Sequence, residues 1–414
     1  MERKELDDLL LKLTRQVLHN VNRTSQTVDN SPIARLIDLI LTQAIEMQAT
    51  DIHIEPQRND LRFRYRLDGV LCELHKPLDS AVTQTFILRL KIMSDMDTTK
   101  HQIPLDGHID YNYHGRKIDM RVASIPTKYG ETIVIRLMDV SEKLKNISEL
   151  GMSNKTEKIF RKLINAPSGM FIVTGPMNSG KSTSLYAALR ELNTGEQHIM
   201  TLEDPIEQLV DGINQMEVIE KTGLTFANGL RSMLRMDCNV IMVGEARDTE
   251  TAKIAVRAAL TGHLILSTLH AKDSCSAIFR LIEMDVEPYL LAATLTGVMS
   301  QRLVRRVCPH CKQAYEVQAD SLEAKLLGKY FHQGLMLYHG VGCEHCRHSG
   351  YSGRAAIHEI LEVNENIRKL ILNFNDVETL RRTALAANFT TMFEDGIQKA
   401  IEGVTTLTEL QRVL

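Results

Sequence analysis

The stretch that decides the fold is Phe171-Ile-Val-Thr-Gly-Pro-Met-Asn-Ser-Gly-Lys-Ser-Thr183. Its first four residues are apolar or β-prone and predict a buried strand, and the residues from Ser182 to Leu192 favour a helix. A glycine turn between a strand and a helix is the setting that a phosphate-binding loop requires. The sequence therefore predicts an α/β domain that binds a nucleotide.

Each part of this loop has a chemical use. Gly175 and Gly180 allow backbone angles at which amide N–H groups turn towards an anion, and the helix N-terminus adds free donors. Lys181 can bind the β- and γ-phosphates, and the Ser182 hydroxyl can bind Mg²⁺. The predicted nucleotide-binding residues are Gly175, Pro176, Met177, Asn178, Ser179, Gly180, Lys181, Ser182 and Thr183.

Composition excludes several other classes of protein. The chain has 414 residues, of which 43% are hydrophobic and 24% charged, with a net charge of −3. This is typical of a globular protein with two or three domains, and it lacks the basic excess of a nucleic-acid binder. No run approaches the ~20 apolar residues of a membrane span, and the charged start lacks a signal-peptide core. We therefore predict a cytoplasmic location, no membrane span and no direct nucleic-acid partner.

Hydrophobic periodicity divides the first third of the chain. Residues 1–30 predict a helical arm, because leucine and valine recur every three or four residues; it either packs on its own protein or docks a partner. Residues 31–139 predict an α+β domain that starts with a helix at Pro32 and continues with strands of alternating polarity. Asp68-Gly69 predicts a hairpin turn. The polar residues 140–150 predict a linker.

The remaining chain is predicted to hold an α/β core, an insertion and a helical end. Residues 151–305 alternate strands and helices, which indicates a mostly parallel sheet. The apolar runs Val240–Val243 and Leu264–Leu266 lack alternation, as strands covered on both faces do. Residues 306–356 contain two cysteine pairs, and residues 357–414 predict helices.

Acids and a histidine follow these strands. Glu245 ends the run that begins at Val240, where an acid beside a phosphate loop can act on Mg²⁺ or on water. Glu203, Asp204 and Glu207 surround a proline and could do the same, although such a stretch is often only an acidic loop. His270 follows another strand; it could contact a γ-phosphate or be a structural histidine.

The cysteine pairs predict a metal site. Cys308-Pro-His-Cys311 and Cys343-Glu-His-Cys346 stand about 30 residues apart. Four thiolates at this spacing suit tetrahedral Zn²⁺ with no open position, and two redox pairs or free thiols are the alternatives.

Taken together, these motifs resemble those of the secretion ATPases of type II secretion and type IV pilus assembly. The correspondence runs over roughly residues 31 to 414. It includes the Walker A loop, an "Asp box" from Glu203 to Glu207, an atypical Walker B ending at Glu245 and a "His box" from Thr261 to His270. Upstream, the motifs are Asp51–Pro56, Arg66–Gly69, Arg121–Pro126 and Gly130-Glu131 with Arg136.

The resemblance implies a RecA-like P-loop NTPase core with a smaller PAS-like α+β domain and a Cys₄ zinc insertion. Glu245 and Glu203 would order and activate water, with either as the principal base, and His270 would contact the γ-phosphate region. Arg121 and Arg136 would reach the nucleotide from the first domain when the domains close.

The implied function is a homo-hexameric motor, with ATP, Mg²⁺ and Zn²⁺ as cofactors. It would hydrolyse ATP to ADP and phosphate to assemble a pilus or pseudopilus, attached to the inner membrane through platform and cytoplasmic-domain proteins. Three alternatives are an ATPase of DNA uptake or conjugative pili, a retraction motor, which the cysteine module argues against, and a nucleotide-binding structural subunit with little hydrolysis.

Two departures from the family pattern keep the last alternative open. Met177-Asn178 replaces the usual Thr-Gly, so Asn178 must adopt the backbone angle that glycine has there. Asn239 and Cys238 stand where the family has an acid and a proline, and we expect Asn239 to remove a charge near the site.

Overall fold

The computed structural model describes residues 12, 14–16, 32–139, 144–373, 376–387 and 389–414. The predicted arm at residues 1–30 lies almost wholly outside these residues, as does part of the predicted linker. The chain divides into two compact units, residues 1–142 and 143–414. In the described part of the chain, no helix combines the length and the hydrophobicity that a membrane crossing requires.

Between residues 32 and 139, the first unit has a seven-stranded antiparallel sheet and two α-helices. The helices are α1 (Pro32–Glu46) and α2 (Thr83–Met93). The strands are β1 (Asp51–Pro56), β2 (Asp60–Leu67), β3 (Val70–Cys72), β4 (Leu78–Asp79), β5 (Leu105–Tyr113), β6 (Arg116–Thr127) and β7 (Gly130–Asp139). Their order is β3-β2-β1-β7-β6-β5, and β4 pairs with β2.

Period-two patterning explains this sheet. Apolar residues of β1, β2 and β7 such as Ile52, Phe63 and Ile135 are buried in one cluster with the apolar face of α1, while the alternate residues of β2 are charged. Asp68 and Gly69 have φ angles of 48° and 83° and join β2 to β3 in a two-residue turn, so the predicted hairpin is confirmed.

The second unit is built on one seven-stranded sheet. Its strands are β8 (Gly169–Thr174), β9 (Ile199–Glu203), β10 (Asn214–Glu217), β11 (Val240–Val243), β12 (Leu264–Leu269), β13 (Leu295–Val307) and β16 (Tyr351–Glu362), in the order β10-β9-β11-β12-β8-β13-β16. Neighbours are parallel except β13 and β16. A separate antiparallel pair is formed by β14 (Lys312–Glu316) and β15 (Met336–Gly340).

Helices cover both faces of this sheet. The described helices of this unit are α3 (Asn154–Ile164), α4 (Lys181–Leu192), α5 (Phe226–Met233), α6 (Thr249–Leu260), α7 (Ser274–Glu283), α8 (Pro288–Thr294), α9 (Leu322–Leu327), α10 (Glu365–Leu372), α11 (Val377–Ala386), α12 (Met392–Ile401) and α13 (Leu407–Val413). Every residue of β8, β11 and β12 is buried, which confirms the prediction of central strands covered on both faces.

Parallel strands place the candidate site. The carboxyl ends of β8, β9, β11 and β12 meet at one edge of the sheet, and loops that follow parallel strands there commonly bind ligands. The phosphate loop, the acidic loop, the Glu245 turn and the His270 turn all leave this edge. The predicted mixed α/β fold with a P-loop core is confirmed.

Two predicted segment boundaries fall inside strands. β13 continues to Val307 and β16 begins at Tyr351, so the cysteine segment predicted at residues 306–356 overlaps the end of one strand and the start of the other. The reason is that both strands pair with each other in the core sheet, and the cysteine segment with β14 and β15 lies between them in the chain.

Candidate functional site

The phosphate loop joins β8 to α4 by backbone angles that glycine favours. Gly175 has φ 153° and Gly180 has φ 86°. A Cβ atom at Gly175 would stand 2.5 Å from the carbonyl oxygen of Gln301, so the loop cannot carry a side chain there. Asn178 has φ 59°, the left-handed angle that the sequence required of a residue replacing glycine.

Lys181 lies folded over the loop. Its ammonium group donates to the carbonyl oxygens of Gly175 at 3.1 Å and Pro176 at 2.9 Å. Burial lowers its pKa, and the negative charges of Glu245 and Glu207 partly offset that effect. The cation is therefore held at the mouth of the loop, within electrostatic reach of the acids on the neighbouring strands.

Glu203 is a buried carboxylate that the protein holds with three donors. It ends β9 and is 4% exposed. It accepts hydrogen bonds from the hydroxyls of Tyr186 and Thr201 and, at 3.0 Å, from the Gln215 amide. Because these donors come from α4, β9 and β10, the carboxylate has a fixed orientation at the sheet edge.

Glu245 lies between the side chains of Arg247 and His270. One oxygen is 2.6 Å from Nε of Arg247, and the other is 3.1 Å from Nε2 of His270. Arg247 also reaches Asp204 at 3.2 Å, so one guanidinium joins the turn after β11 to the acidic loop after β9. The sequence-predicted pair of acids and His270 thus share one edge with the phosphate loop.

Asn239 lies elsewhere, and the expectation that it removes a charge near the site is wrong. It precedes β11, at the amino end of the parallel strands, whereas the phosphate loop follows the carboxyl end of β8. Its side chain accepts a hydrogen bond from the backbone N–H of His198 at 2.8 Å. Cys238 beside it is buried and donates to Met233. Both residues serve the fold at the far edge.

Arg121 and Arg136 lie in the first unit. They are directly opposed on β6 and β7, so their side chains share a face of that sheet. Nε of Arg136 is 3.2 Å from Asp51, and Nε of Arg66 is 3.2 Å from the other oxygen of the same carboxylate. Asp51 therefore forms ion pairs with both Arg136 and Arg66. The role of Arg121 and Arg136 towards a nucleotide stays a prediction.

The four cysteines come together as predicted. Cys308, Cys311, Cys343 and Cys346 have sulfur atoms within 4.8 Å of one another. The Sγ–Sγ distances are 3.9 Å for Cys308 and Cys343 and 3.7 Å for Cys311 and Cys346. A tetrahedron with Zn–S bonds of about 2.3 Å has edges of about 3.8 Å. The cluster fits a four-coordinate zinc ion.

Hydrogen bonds at the cluster favour thiolate at one position. Burial by itself raises the pKa of Cys346, but N–H donation from Cys343 at 3.2 Å and Gly350 at 3.3 Å outweighs it and lowers the pKa to about 6. The deprotonated sulfur is the form that binds a metal.

Sequence reasoning missed four residues of the site. Arg247 stands two residues after Glu245, and that proximity was a usable signal. Tyr186 and Gln215 carry no motif, and they reach Glu203 only because α4 and β10 flank β9. Gln301 lies 122 residues from the loop residue that it contacts, which no local pattern reveals.

Comparison with known proteins extends over nearly the whole chain. A family model described as type II/IV secretion system protein matches residues 26–412. The type II secretion system ATPase E of Vibrio cholerae is 43% identical, over 94% of this chain and 76% of its own length. The type IV pilus assembly ATPase PilB of Thermus thermophilus is 41% identical, over 92% of this chain and 43% of its own. A crystal structure of the pilus retraction motor PilT with bound ADP has a TM-score of 0.60 at 26% identity and covers 90% of this chain and 95% of its own.

Proposed function

The chain belongs to the type II/IV secretion system protein family, and on that premise we propose that it is an ATPase motor that powers assembly of a pilus or pseudopilus. Relatives at 41–43% identity are named as ATPases of type II secretion and type IV pilus assembly. The observation that carries the proposal is the meeting of the phosphate loop, two oriented acids and His270 at one sheet edge.

The loop and its lysine bind the substrate. The N–H groups of the loop and the amino end of α4 face the phosphates, and Lys181 moves from its two carbonyl acceptors to phosphate oxygens of higher charge. Ser182 and an acid of the edge would hold Mg²⁺, which neutralises charge on the β- and γ-phosphates.

The acids act on the attacking water. Glu203 is held by three donors, so it can present a fixed carboxylate without reorganisation. Glu245 is more open, with an 18% exposed side chain, and Nε2 of His270 lies 3.1 Å from one of its oxygens. We assign water activation to this pair, with His270 as the group that senses the γ-phosphate.

The cysteine cluster has a structural task in this proposal. Its four sulfur atoms would occupy all positions of a tetrahedral Zn²⁺, so no site remains for substrate. The ion would fix the loops between β13 and β16, which are the strands that continue the ATPase sheet.

Assembly and location complete the proposal. The motor is a homo-hexamer in the cytoplasm, attached to the inner membrane through platform and cytoplasmic-domain proteins of its machine. We propose that Arg121 and Arg136 supply positive charge to the nucleotide, and the ion pair with Asp51 orients Arg136. Sedimentation with and without a nonhydrolysable ATP analogue tests the hexamer: a monomer under both conditions contradicts it.

The activity is tested with Lys181→Ala, using Glu196→Gln as an exposed control in the same unit. Titration calorimetry measures ATP binding and a phosphate assay measures turnover. We expect Lys181→Ala to lose both by at least about 10-fold, since it removes a charged phosphate contact. Normal binding and turnover in Lys181→Ala contradict the assignment of the site.

A further inference from the structure

Gln301 reaches the phosphate loop from a neighbouring strand. It lies on β13, one residue beyond the last residue of that strand that pairs with β8, and it is 1% exposed. Its Nε2 donates to the carbonyl oxygen of Ser179 at 2.7 Å, and its Oε1 accepts from the Ser184 hydroxyl at 2.8 Å. Both ends of one buried amide are therefore used, one on the loop and one on the helix that follows it.

The same residue also abuts both glycines of the loop. A Cβ atom at Gly175 would lie 2.5 Å from the Gln301 carbonyl oxygen, and one at Gly180 would lie 3.0 Å from its Nε2. Gln301 is thus packed against the loop at Gly175 and at Ser179–Gly180. This close approach gives the two glycines a second use besides their backbone angles.

The amide is not shared with the residue behind it. His358 on β16 is the register partner of Gln301, so the two side chains lie on one face of the sheet. His358 is 1% exposed, and neither ring nitrogen has a hydrogen-bond partner in the described structure. The side-chain amide of Gln301 therefore donates to the loop and not to His358.

A peptide unit transmits the effect of this bond. In a trans peptide the C=O and the following N–H point in opposite directions. Because Gln301 holds the Ser179 carbonyl towards β13, the N–H of Gly180 points away from β13. That N–H is one of the donors that a phosphate group meets.

We propose that Gln301 is a positioning residue for nucleotide binding: its amide fixes the Ser179–Gly180 peptide so that the loop donors face the phosphates. This inference rests on the proposed ATPase function. It implies that a residue of β13, which is far from the loop in the sequence, contributes to the affinity for ATP and ADP.

The test compares a substitution that removes both hydrogen bonds of the amide with one that removes only the bond to the helix. Gln301→Met keeps the length and volume and loses both hydrogen bonds, and Ser184→Ala loses only the bond to the helix. Titration calorimetry gives Kd for Mg-ADP, steady-state kinetics gives KM and kcat, and thermal unfolding gives Tm. Ser300→Ala, next in the chain and buried without a partner for its hydroxyl, is the matched control.

Positioning predicts a split between the two variants. Gln301→Met raises Kd and KM about 10-fold, the equivalent of one to two buried hydrogen bonds, with kcat changed less. Ser184→Ala lowers Tm but keeps Kd within about 2-fold of the wild-type chain, as Ser300→Ala does. If Gln301→Met does not fold, Gln301→Leu supplies the same comparison.

The outcomes separate the two proposals. A Gln301 variant that binds Mg-ADP as the wild-type chain does overturns the inference alone. The inference is also overturned if Kd rises in proportion to the loss of Tm in both Gln301→Met and Ser184→Ala, because general destabilisation then explains the effect. Failure of the wild-type chain to bind Mg-ADP overturns the proposed function, and the inference with it.

Discussion

Tyr186→Phe removes one oxygen atom from the centre of the candidate site. Tyr186 lies on α4 and is 2% exposed. Its hydroxyl donates to Glu203 and accepts the backbone N–H groups of Glu207 at 3.2 Å and Gln208 at 3.3 Å. The substitution keeps the ring and its packing, so its effects are those of the lost hydrogen bonds.

The magnitude follows from the charge and burial of Glu203. A hydrogen bond to a charged group contributes about 1.5–3 kcal/mol. The two N–H groups lie in a partly exposed loop and can bond to water, so they add little. We expect the free energy of unfolding to fall by about 2–3 kcal/mol, which lowers Tm by about 4–12 °C in a unit of this size.

Turnover should fall as well. Glu203 keeps two of its three donors, Thr201 and Gln215, but loses part of its fixed orientation. We expect kcat to fall about 10-fold, the equivalent of about 1.4 kcal/mol of lost transition-state orientation. The KM for ATP should stay within about 2-fold, because the loop and Lys181 are untouched.

The assay pairs thermal unfolding by circular dichroism with steady-state phosphate release. Tyr289→Phe is the control, since that side chain is 60% exposed. Tyr186→Phe with the Tm and kcat of the control refutes the claim that this hydroxyl orients Glu203. A lower Tm with unchanged kcat per folded molecule refutes the catalytic part only.

Three further predictions address other parts of the chain. Burial would raise the pKa of Glu409, but hydrogen bonds from Arg412 and Arg305 outweigh it and hold the pKa at about 2. Because a depressed pKa stabilises the fold above pH ~4.5, we expect the free energy of unfolding to fall by about 3 kcal/mol between pH ~5 and ~2. Acid-unfolding curves measure this fall, and Glu409→Gln should make it smaller. Asn178→Gly should change the free energy of unfolding by no more than about 1 kcal/mol and turnover by no more than about 2-fold, since Asn178 already adopts the left-handed angle. A large gain in phosphate release would instead show that Asn178 limits turnover. Removal of metal by a chelator should lower Tm by several degrees and release about one zinc per chain, and metal analysis with far less zinc contradicts the Cys₄ site.

The sequence predicts those parts of the site whose residues lie close together in the chain. A phosphate loop needs its glycines, lysine and serine at fixed offsets, so Gly175, Gly180, Lys181 and Ser182 are readable directly. The cysteine pairs are readable for the same reason. Even the angle of Asn178 follows from the position it occupies.

Other parts depend on the order of strands across the sheet. Gln301 and Gln215 act on residues far away in the chain, and only the positions of β13 and β10 beside β8 and β9 bring them there. Asn239 shows the converse: it is six residues from Glu245, but the intervening four-residue strand spans about 13 Å and carries it to the other edge.

The measurement that tests the central claim most directly is phosphate release from Mg-ATP by the wild-type chain and by Glu245→Gln. Gln keeps the shape of the side chain, and its amide cannot take a proton from water. The account predicts turnover by the wild-type chain and a loss of at least about 100-fold in Glu245→Gln, with ATP binding retained within a few-fold. Equal rates for the two at the level of uncatalysed hydrolysis contradict it, and they leave the chain as a nucleotide-binding structural subunit.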